Sequence, residues 1–357
     1  MRPLYDTLYN IVSSDPLRMH MPGHKGVAGE LFEEIAKIDF TEIPPTGNLY
    51  TGEGPFPEAE ALCASYAGAH EASMLSCGST LGIQTAICAA VGKGGTMLLD
   101  RGCHKSVYNA IALLDITPIY LTPDTYMGLS LPLSPEEIEM AILRNPQARA
   151  LFLTSPSYYG IITDLSPIAH ICHAHGLSLI VDQAHGAHFP TVGIPSAMEM
   201  GADLSVVSTH KTWPALGSSA ILYNNSKFDK MELKAISTVF GTTSPSYPIL
   251  ASIDYARDAL DGDLGESYRA TARRTEAFRK WINGFTPFHA LCPEDGLSLD
   301  PCRLTVDTLQ GGLSGHEADR LLQRENIYVE MSDERYIVLI LTCNDTLESF
   351  ARLKDAL

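Results

Sequence analysis

Seven short apolar runs, separated by amphipathic stretches, constrain the fold of this chain more than any other feature. The runs are apolar on both faces, as strands buried within a parallel sheet usually are. They are Ala72–Cys77, Thr96–Asp100, Pro118–Leu121, Ala150–Ser155, Leu177–Asp182, Leu204–Thr209 and Ser219–Tyr223. Helical stretches such as Pro135–Arg144 and Pro167–His175 lie between them. This alternation predicts a doubly wound α/β domain with a mostly parallel seven-stranded sheet.

The segments on either side of this region have different patterns. Residues 1–70 are rich in Pro and Gly, with short helices predicted at Leu4–Val12, Leu31–Ile38 and Glu58–Tyr66. A long helical region from Tyr247 to Phe285 precedes a strand–helix–strand–strand–helix pattern. Its elements are predicted at Arg303–Thr308, Gly315–Arg324, Ile327–Met331, Tyr336–Thr342 and Leu347–Leu357. We therefore expect an N-terminal segment (1–70), a large domain with its connecting helix (71–285) and a small C-terminal α+β domain (286–357).

The composition limits the possible binding partners and the cellular location of the protein. With 25 basic and 42 acidic residues, the net charge of -17 argues against nucleic acid or an anionic membrane surface as partner. The sequence shows neither a signal-peptide core nor an apolar run of membrane-spanning length, so the cytoplasm is the expected location. Eight scattered cysteines without a Cys-x-x-Cys pair indicate reduced thiols. His170, Cys172, His173 and His175 share one helical stretch without matched ligands elsewhere, so no metal is expected.

Three chemically distinctive sites follow predicted strands, at the edge where open α/β sheets bind ligands. Gly78-Ser79-Thr80 opens a helix, where its amide and hydroxyl groups suit an anion or simply a helix cap. Asp182 ends an apolar strand, where its carboxylate is either paired or solvated. Lys211 follows the next strand, where a lysine is either a Schiff-base nucleophile or a surface side chain.

Together, the three sites describe one ligand. Asp182 and Lys211 are one strand–crossover–strand unit apart, so both belong to the same edge of the sheet. A phosphate on Gly78–Thr80, a pyridinium nitrogen beside Asp182 and an aldehyde carbon on Lys211 are the parts of pyridoxal 5'-phosphate (PLP). The sequence therefore predicts a PLP enzyme.

Six segments also resemble the Orn/Lys/Arg decarboxylases, a family of fold-type-I PLP enzymes. They are residues 20–26 (HMPGHKG), 100–106 (DRGCHKS), 154–160 (TSPSYYG), 181–189 (VDQAHGAHF), 208–212 (STHKT) and 242–247 (TTSPSY). The resemblance implies the fold-type-I architecture, PLP, an amino acid substrate and a homodimer or higher homo-oligomer with shared sites. Family members usually have Glu at the position of Gln183 and acidic residues near Asn48–Tyr50. They also commonly continue into a further C-terminal domain, whereas this chain stops at Leu357.

The resemblance also implies roles for residues around the cofactor ring. Lys211 is expected to form the Schiff base, and Asp182 to pair with the ring nitrogen. His104 would stack on one face of the ring and relay a proton, and Ala184 would pack against the other face. His185 would lie near the phenolic oxygen.

Further residues are expected to bind the phosphate. The expected ligands in the same chain are Gly78, Ser79, Thr80, Ser208 and His210. Thr243 and Ser244 would reach the phosphate of a partner subunit, because the family builds its sites between protomers.

The leading hypothesis is PLP-dependent α-decarboxylation of arginine, lysine or ornithine to the amine and CO2. Another PLP reaction, such as aminotransfer or elimination, would use the same cofactor site, and a degenerate PLP-binding subunit is a further alternative. A nicotinamide dehydrogenase is a third alternative, because Gly78-x-x-x-Gly82 precedes a helix and Asp100 ends the next strand. That interpretation lacks the full Gly-x-Gly-x-x-Gly pattern and leaves Lys211 and Asp182 unexplained.

Overall fold

The structure, a computed structural model, describes residues 1–22, 24–27 and 29–357. Gly23, in the family-like segment 20–26, therefore lies outside the described residues. The strands are β1 (Glu71–Leu75), β2 (Thr96–Asp100), β3 (Thr117–Leu121), β4 (Thr125–Tyr126), β5 (Leu129–Ser130), β6 (Ala148–Thr154), β7 (Ser178–Asp182), β8 (Leu204–Val207), β9 (Ala220–Asn224), β10 (His289–Ala290), β11 (Arg303–Asp307), β12 (Met331–Ser332) and β13 (Tyr336–Ile340).

Helices precede the first strand and separate many of the others along the chain. They are α1 (Pro3–Ser13), α2 (Glu33–Ile38), α3 (Phe56–Tyr66), α4 (Gly78–Val91), α5 (Lys105–Leu114), α6 (Pro135–Arg144), α7 (Ser166–Ala174), α8 (Thr209–Thr212), α9 (Lys230–Phe240), α10 (Tyr247–Asp261), α11 (Asp263–Phe285), α12 (Gly315–Arg324) and α13 (Leu347–Ala356). Within the described residues, no helix is both long and apolar enough to cross a membrane.

The predicted seven-stranded sheet is confirmed. Its strand order is β1-β9-β8-β7-β6-β2-β3. The pairs β2–β3, β2–β6, β6–β7 and β7–β8 are parallel, whereas β9 runs antiparallel to both of its neighbours. The C-terminal ends of β2, β6, β7 and β8 therefore meet at one edge, and the C-terminal end of β1 lies at the same edge.

Both faces of the central strands of this sheet are buried, because successive side chains of a strand enter different clusters. In β6, Leu151 and Leu153 belong to the cluster that includes α3, α7 and α10, whereas Phe152 belongs to the cluster that includes α4 and α5. In β7, Leu179 and Ile180 separate in the same way. This two-sided burial explains why the strands appear in the sequence as continuous apolar runs.

The C-terminal part contains a second, antiparallel sheet of four strands in the order β10-β11-β13-β12. It shares an apolar cluster with α11, α12 and α13. The division of the chain at residues 70 and 285 stays a prediction.

Two predicted elements differ from the structure. The strand expected at Ile327–Met331 is only Met331–Ser332. Before it, Tyr328 is 75% exposed, whereas Ile327 and Val329 pack against the apolar cluster of the C-terminal part. The long helical region is two helices, because Gly262 leaves helical geometry at φ -113° and ψ -135°. Helix α9, the β4–β5 hairpin and β10 are additions that the sequence pattern does not predict.

Candidate active site

Four of the predicted site residues lie where elements of the large sheet meet its C-terminal edge. Asp182 is the last residue of β7 and pairs with Thr154 of β6 and Val206 of β8. Lys211 lies on the short helix α8, directly after β8. Gly78 begins α4 after β1, and His104 is the N-cap of α5 after β2. Crossover connections thus gather residues that are far apart in the sequence.

Asp182 and Lys211 are both ionisable; Asp182 is buried, and Lys211 is partly buried. Burial raises the pKa of Asp182, while the Ala184 backbone N–H (3.0 Å from Oδ1), Lys211 and His104 lower it. Burial likewise lowers the pKa of Lys211, and the nearby Asp182 carboxylate opposes this shift. The charged form of Asp182 is therefore stabilised by a cationic partner inside the site, and the charged form of Lys211 by an anionic one.

His104 is held by the start of its own helix. Its Nδ1 atom accepts a hydrogen bond from the Ser106 backbone N–H at 3.2 Å and lies 2.9 Å from the Ser106 hydroxyl. The neutral ring therefore carries its proton on Nε2. Burial lowers the pKa of His104, and the opposing charges of Asp182 and Lys211 act on it in opposite directions.

Ser208 and His210 flank the same turn as Lys211. The Ser208 hydroxyl is fully buried and has no hydrogen-bond partner within the described part of the chain. The Nδ1 atom of His210 donates to the Ser219 carbonyl at 2.8 Å, which leaves its Nε2 for another partner. An unpartnered buried hydroxyl is costly, so a bound polar ligand would satisfy it.

The turn that opens α4 is only partly available for an anion. The backbone N–H of Gly78 donates to the Ser218 carbonyl at 2.7 Å, and Gly78 has a positive φ of +77°. Ser79 and Thr80 lie in the first turn of α4 and are half-buried. Their backbone N–H groups belong to the end of the helix that has no carbonyl partner within it.

Thr243 and Ser244 lie in the exposed loop between α9 and α10. The Ser244 N–H donates to the hydroxyl of Thr242 at 3.1 Å. The loop begins beside α4, since a Cβ atom on Gly241 would lie only 2.9 Å from Leu81. A role for Thr243 and Ser244 in a partner's site stays a prediction.

The structure adds Arg303, which the sequence pattern does not predict as a site residue. This residue begins β11, and its side chain is 2% exposed. Its Nη2 donates to His185 Nδ1 at 2.7 Å, and His185 Nε2 lies 3.1 Å from Lys211 Nζ. A charged residue at the start of an apolar strand is the same kind of signal as Asp182 at the end of one. That signal could have found Arg303, but it lies outside the region where strands and helices alternate.

Tyr158 and Glu330 are also absent from the predicted site residues. The Tyr158 ring packs edge-on against His185, with ring centroids 4.8 Å apart. Its hydroxyl donates to the Glu330 carboxylate. Burial, together with Glu330, raises the pKa of Tyr158 to about 12, so the phenol is neutral. Glu330 itself is exposed, and no ion pair of the described residues includes it.

A comparison with known families identifies this architecture. Residues 2–294 match the sequence model described as "Orn/Lys/Arg decarboxylase, major domain". The chain belongs to the Orn/Lys/Arg decarboxylase family. It is 34% identical to the uncharacterized protein YaaO of Bacillus subtilis, over 95% of this chain and 73% of that protein. It is 31% identical to an arginine decarboxylase of the same organism, over 99% of this chain and 76% of that protein.

Solved structures share the fold. The constitutive lysine decarboxylase of Escherichia coli superposes with a TM-score of 0.84 at 22% identity, covering all of this chain and 60% of that one. SPT with PLP superposes with a TM-score of 0.66 at 16% identity, covering 84% of this chain and 75% of that one. The predicted family, enzyme class and fold-type-I architecture are confirmed. This chain spans about three-fifths of the length of that lysine decarboxylase.

The described residues of this Orn/Lys/Arg decarboxylase fit PLP. A partly buried amine at Lys211 suits the aldehyde carbon, and a buried carboxylate at Asp182 suits a protonated ring nitrogen. The unpartnered hydroxyl of Ser208 suits a phosphate oxygen.

Proposed function

We propose that this chain catalyses PLP-dependent α-decarboxylation of arginine, lysine or ornithine, releasing the amine and CO2. The observation that carries the proposal is the meeting of a partly buried Lys211 amine and a buried Asp182 carboxylate at one sheet edge. Family membership supports the cofactor, and the arginine decarboxylase relative supports the substrate class.

The residues divide the chemistry among them. When bound, PLP accepts the electrons left on the substrate α-carbon as CO2 departs. Asp182 keeps a proton on the ring nitrogen, and Lys211 holds the cofactor between turnovers. His104, with its proton on Nε2, or the Lys211 amine donates a proton to the α-carbon. Ala184 would contribute a packing surface for the cofactor.

The phosphate of the cofactor is assigned to polar groups of two subunits. Ser79, Thr80, Ser208 and His210 would hold it from the same chain. Thr243 and Ser244 are assigned to the phosphate of a partner subunit, so the working unit is at least a homodimer.

Glu330 accounts for a preference for basic side chains. Its exposed carboxylate accepts a hydrogen bond from Tyr158, whose ring touches His185 beside Lys211. Glu330 is thus close enough to Lys211 for its charge to raise the pKa of that amine. An ammonium or guanidinium group on the substrate would complete a charge-assisted contact there.

The test is to incubate the purified protein and PLP with each of the three amino acids. Decarboxylation requires CO2 and the matching amine in equal amounts, whereas formation of a keto acid would show aminotransfer instead. Borohydride reduction followed by peptide mapping should find the cofactor on Lys211, and Lys211→Ala should remove the reducible chromophore. Recovery of the reduced adduct on another lysine would refute the assignment.

A further inference from the structure

We propose that Arg303 is a positioning residue, which fixes the proton of His185 on Nε2 and so keeps Lys211 ready as a neutral amine to capture PLP. The inference rests on the proposed role of Lys211 as the cofactor-bearing lysine. It does not depend on which reaction follows.

The directions of two hydrogen bonds determine which ring nitrogen of His185 carries the proton. A guanidinium group only donates, so His185 Nδ1, 2.7 Å from Arg303 Nη2, must be an acceptor. A neutral imidazole with an accepting Nδ1 carries its proton on Nε2. That N–H lies 3.1 Å from Lys211 Nζ, which must then accept. An amine accepts only through the lone pair of its neutral form, because an ammonium group has none.

Burial and nearby charges determine the protonation of His185 and Lys211. Burial, followed by the charge of Arg303, lowers the pKa of His185 well below its usual value, so the ring is neutral. Around Lys211, Asp182 and Glu330 favour the ammonium form, whereas burial and Arg303 favour the amine. The imidazoles of His104 and His185 also lie near Lys211, and the phenol of Tyr158 packs against His185. Arg303 is therefore the cation that opposes the two carboxylates.

Close contacts on several sides keep Arg303 beside His185. Arg279 donates to the backbone carbonyl of Arg303 at 2.6 Å and to that of Asp300 at 2.8 Å. Gly160, with φ of +85°, lies so close that a Cβ atom there would be 2.6 Å from Arg303 Cγ. The Nη1 atom also points to the Tyr158 carbonyl at 3.4 Å. The packing of Arg303 thus holds its guanidinium group against His185.

The test measures how fast the cofactor-free protein captures PLP, followed by visible absorbance across a range of pH. In wild type the rate should rise as Lys211 loses its proton. Arg303→Gln should move the midpoint of this profile to higher pH. A midpoint one pH value higher would slow capture about tenfold at lower pH, because the neutral amine would be about tenfold scarcer there. Arg303→Lys keeps a charged donor and should restore most of the wild-type profile.

Arg279→Gln is the matched control. It removes bonds to the same backbone without facing His185 or Lys211, so it should lower the melting temperature and leave the midpoint in place. An equal change of midpoint in both glutamine variants would overturn the proposal, because packing of β11 would then be the cause. An unchanged midpoint in Arg303→Gln would also overturn it.

A second variant covers the case in which Arg303→Gln does not fold. His185→Leu breaks the contact from the other side and should also raise the midpoint, and an unchanged midpoint there would refute the idea. If the proposed function itself were wrong, the experiment would give a different result. In that case wild type would capture no PLP, or borohydride would trap it on a lysine other than Lys211.

Discussion

Asp254 allows a pH-dependent stability change to be calculated from the structure. This carboxylate on α10 is fully buried, and its Oδ2 accepts backbone N–H groups of Leu4 and Tyr5 at 2.9 and 3.2 Å. Its Oδ1 is buried and has no hydrogen-bond partner among the described residues. Burial raises the pKa of Asp254 from 3.8 to about 6, against the opposing effect of the two N–H groups and Arg257.

Burial disfavours the charged form of Asp254 in the folded state, which decides how the free energy of unfolding changes with pH. Because the folded pKa is the higher one, the contribution of Asp254 to stability is present below pH 3.8 and is lost as the pH rises through about 6. A pKa difference of this size corresponds to a loss of about 3 kcal/mol at pH 8. Asp254→Asn keeps an acceptor for Leu4 and Tyr5 and has no charge to desolvate. We expect it to be more stable than wild type at pH 8, by at most about 3 kcal/mol.

The assay is denaturant unfolding of both proteins between pH 4 and 8. Every other titrating group is common to the two proteins, so the difference in unfolding free energy isolates Asp254. That difference should be smallest at pH 4 and should grow through pH 6. The full gain is an upper limit, since the new amide would face the Arg257 guanidinium, which lies 3.8 Å from Oδ1. A difference that is independent of pH, or a variant less stable at pH 8, would refute the reasoning.

Three further predictions concern the site. Asp182→Asn should reduce turnover far more than PLP affinity, because the electron sink loses its charge partner; steady-state kinetics with near-normal turnover would count against this role. Glu330→Gln should raise KM for a basic substrate about tenfold or more, as loss of a charge-assisted hydrogen bond does, while PLP capture still occurs; an unchanged KM would exclude Glu330 from recognition. Mixing inactive Lys211→Ala with an inactive Thr243/Ser244 double-alanine variant should restore activity by subunit exchange, and proven exchange without activity would place both residues in their own chain's site.

The large sheet could be predicted from the sequence for a physical reason. A strand buried on both faces must be apolar throughout, and parallel connections must bring its C-terminal end to the common edge. Asp182 and Lys211 could therefore be placed together from their positions at strand ends alone. The expectation for Gly78 follows from the same geometry, whereas the expectation for His104 rests on the family resemblance.

Arg303 could not be placed in that way. Its contact with His185 depends on how the second sheet docks against the first, and no local pattern encodes that docking. The misplaced strand at Ile327–Met331 has a similar origin, since an apolar run does not reveal which residues face solvent. The break at Gly262 escapes prediction because apolar periodicity continues on both sides of it.

The Arg303–His185–Lys211 contact also bears on how this protein unfolds. It joins β11 of the four-stranded sheet to the turn after β8 of the seven-stranded sheet. A ligand that binds only when both parts are in place stabilises them jointly, by about 4 kcal/mol at a thousandfold excess over its Kd. Cofactor supply would then set the cooperativity of unfolding, with the two sheets melting as one unit when PLP is abundant and more independently when it is scarce.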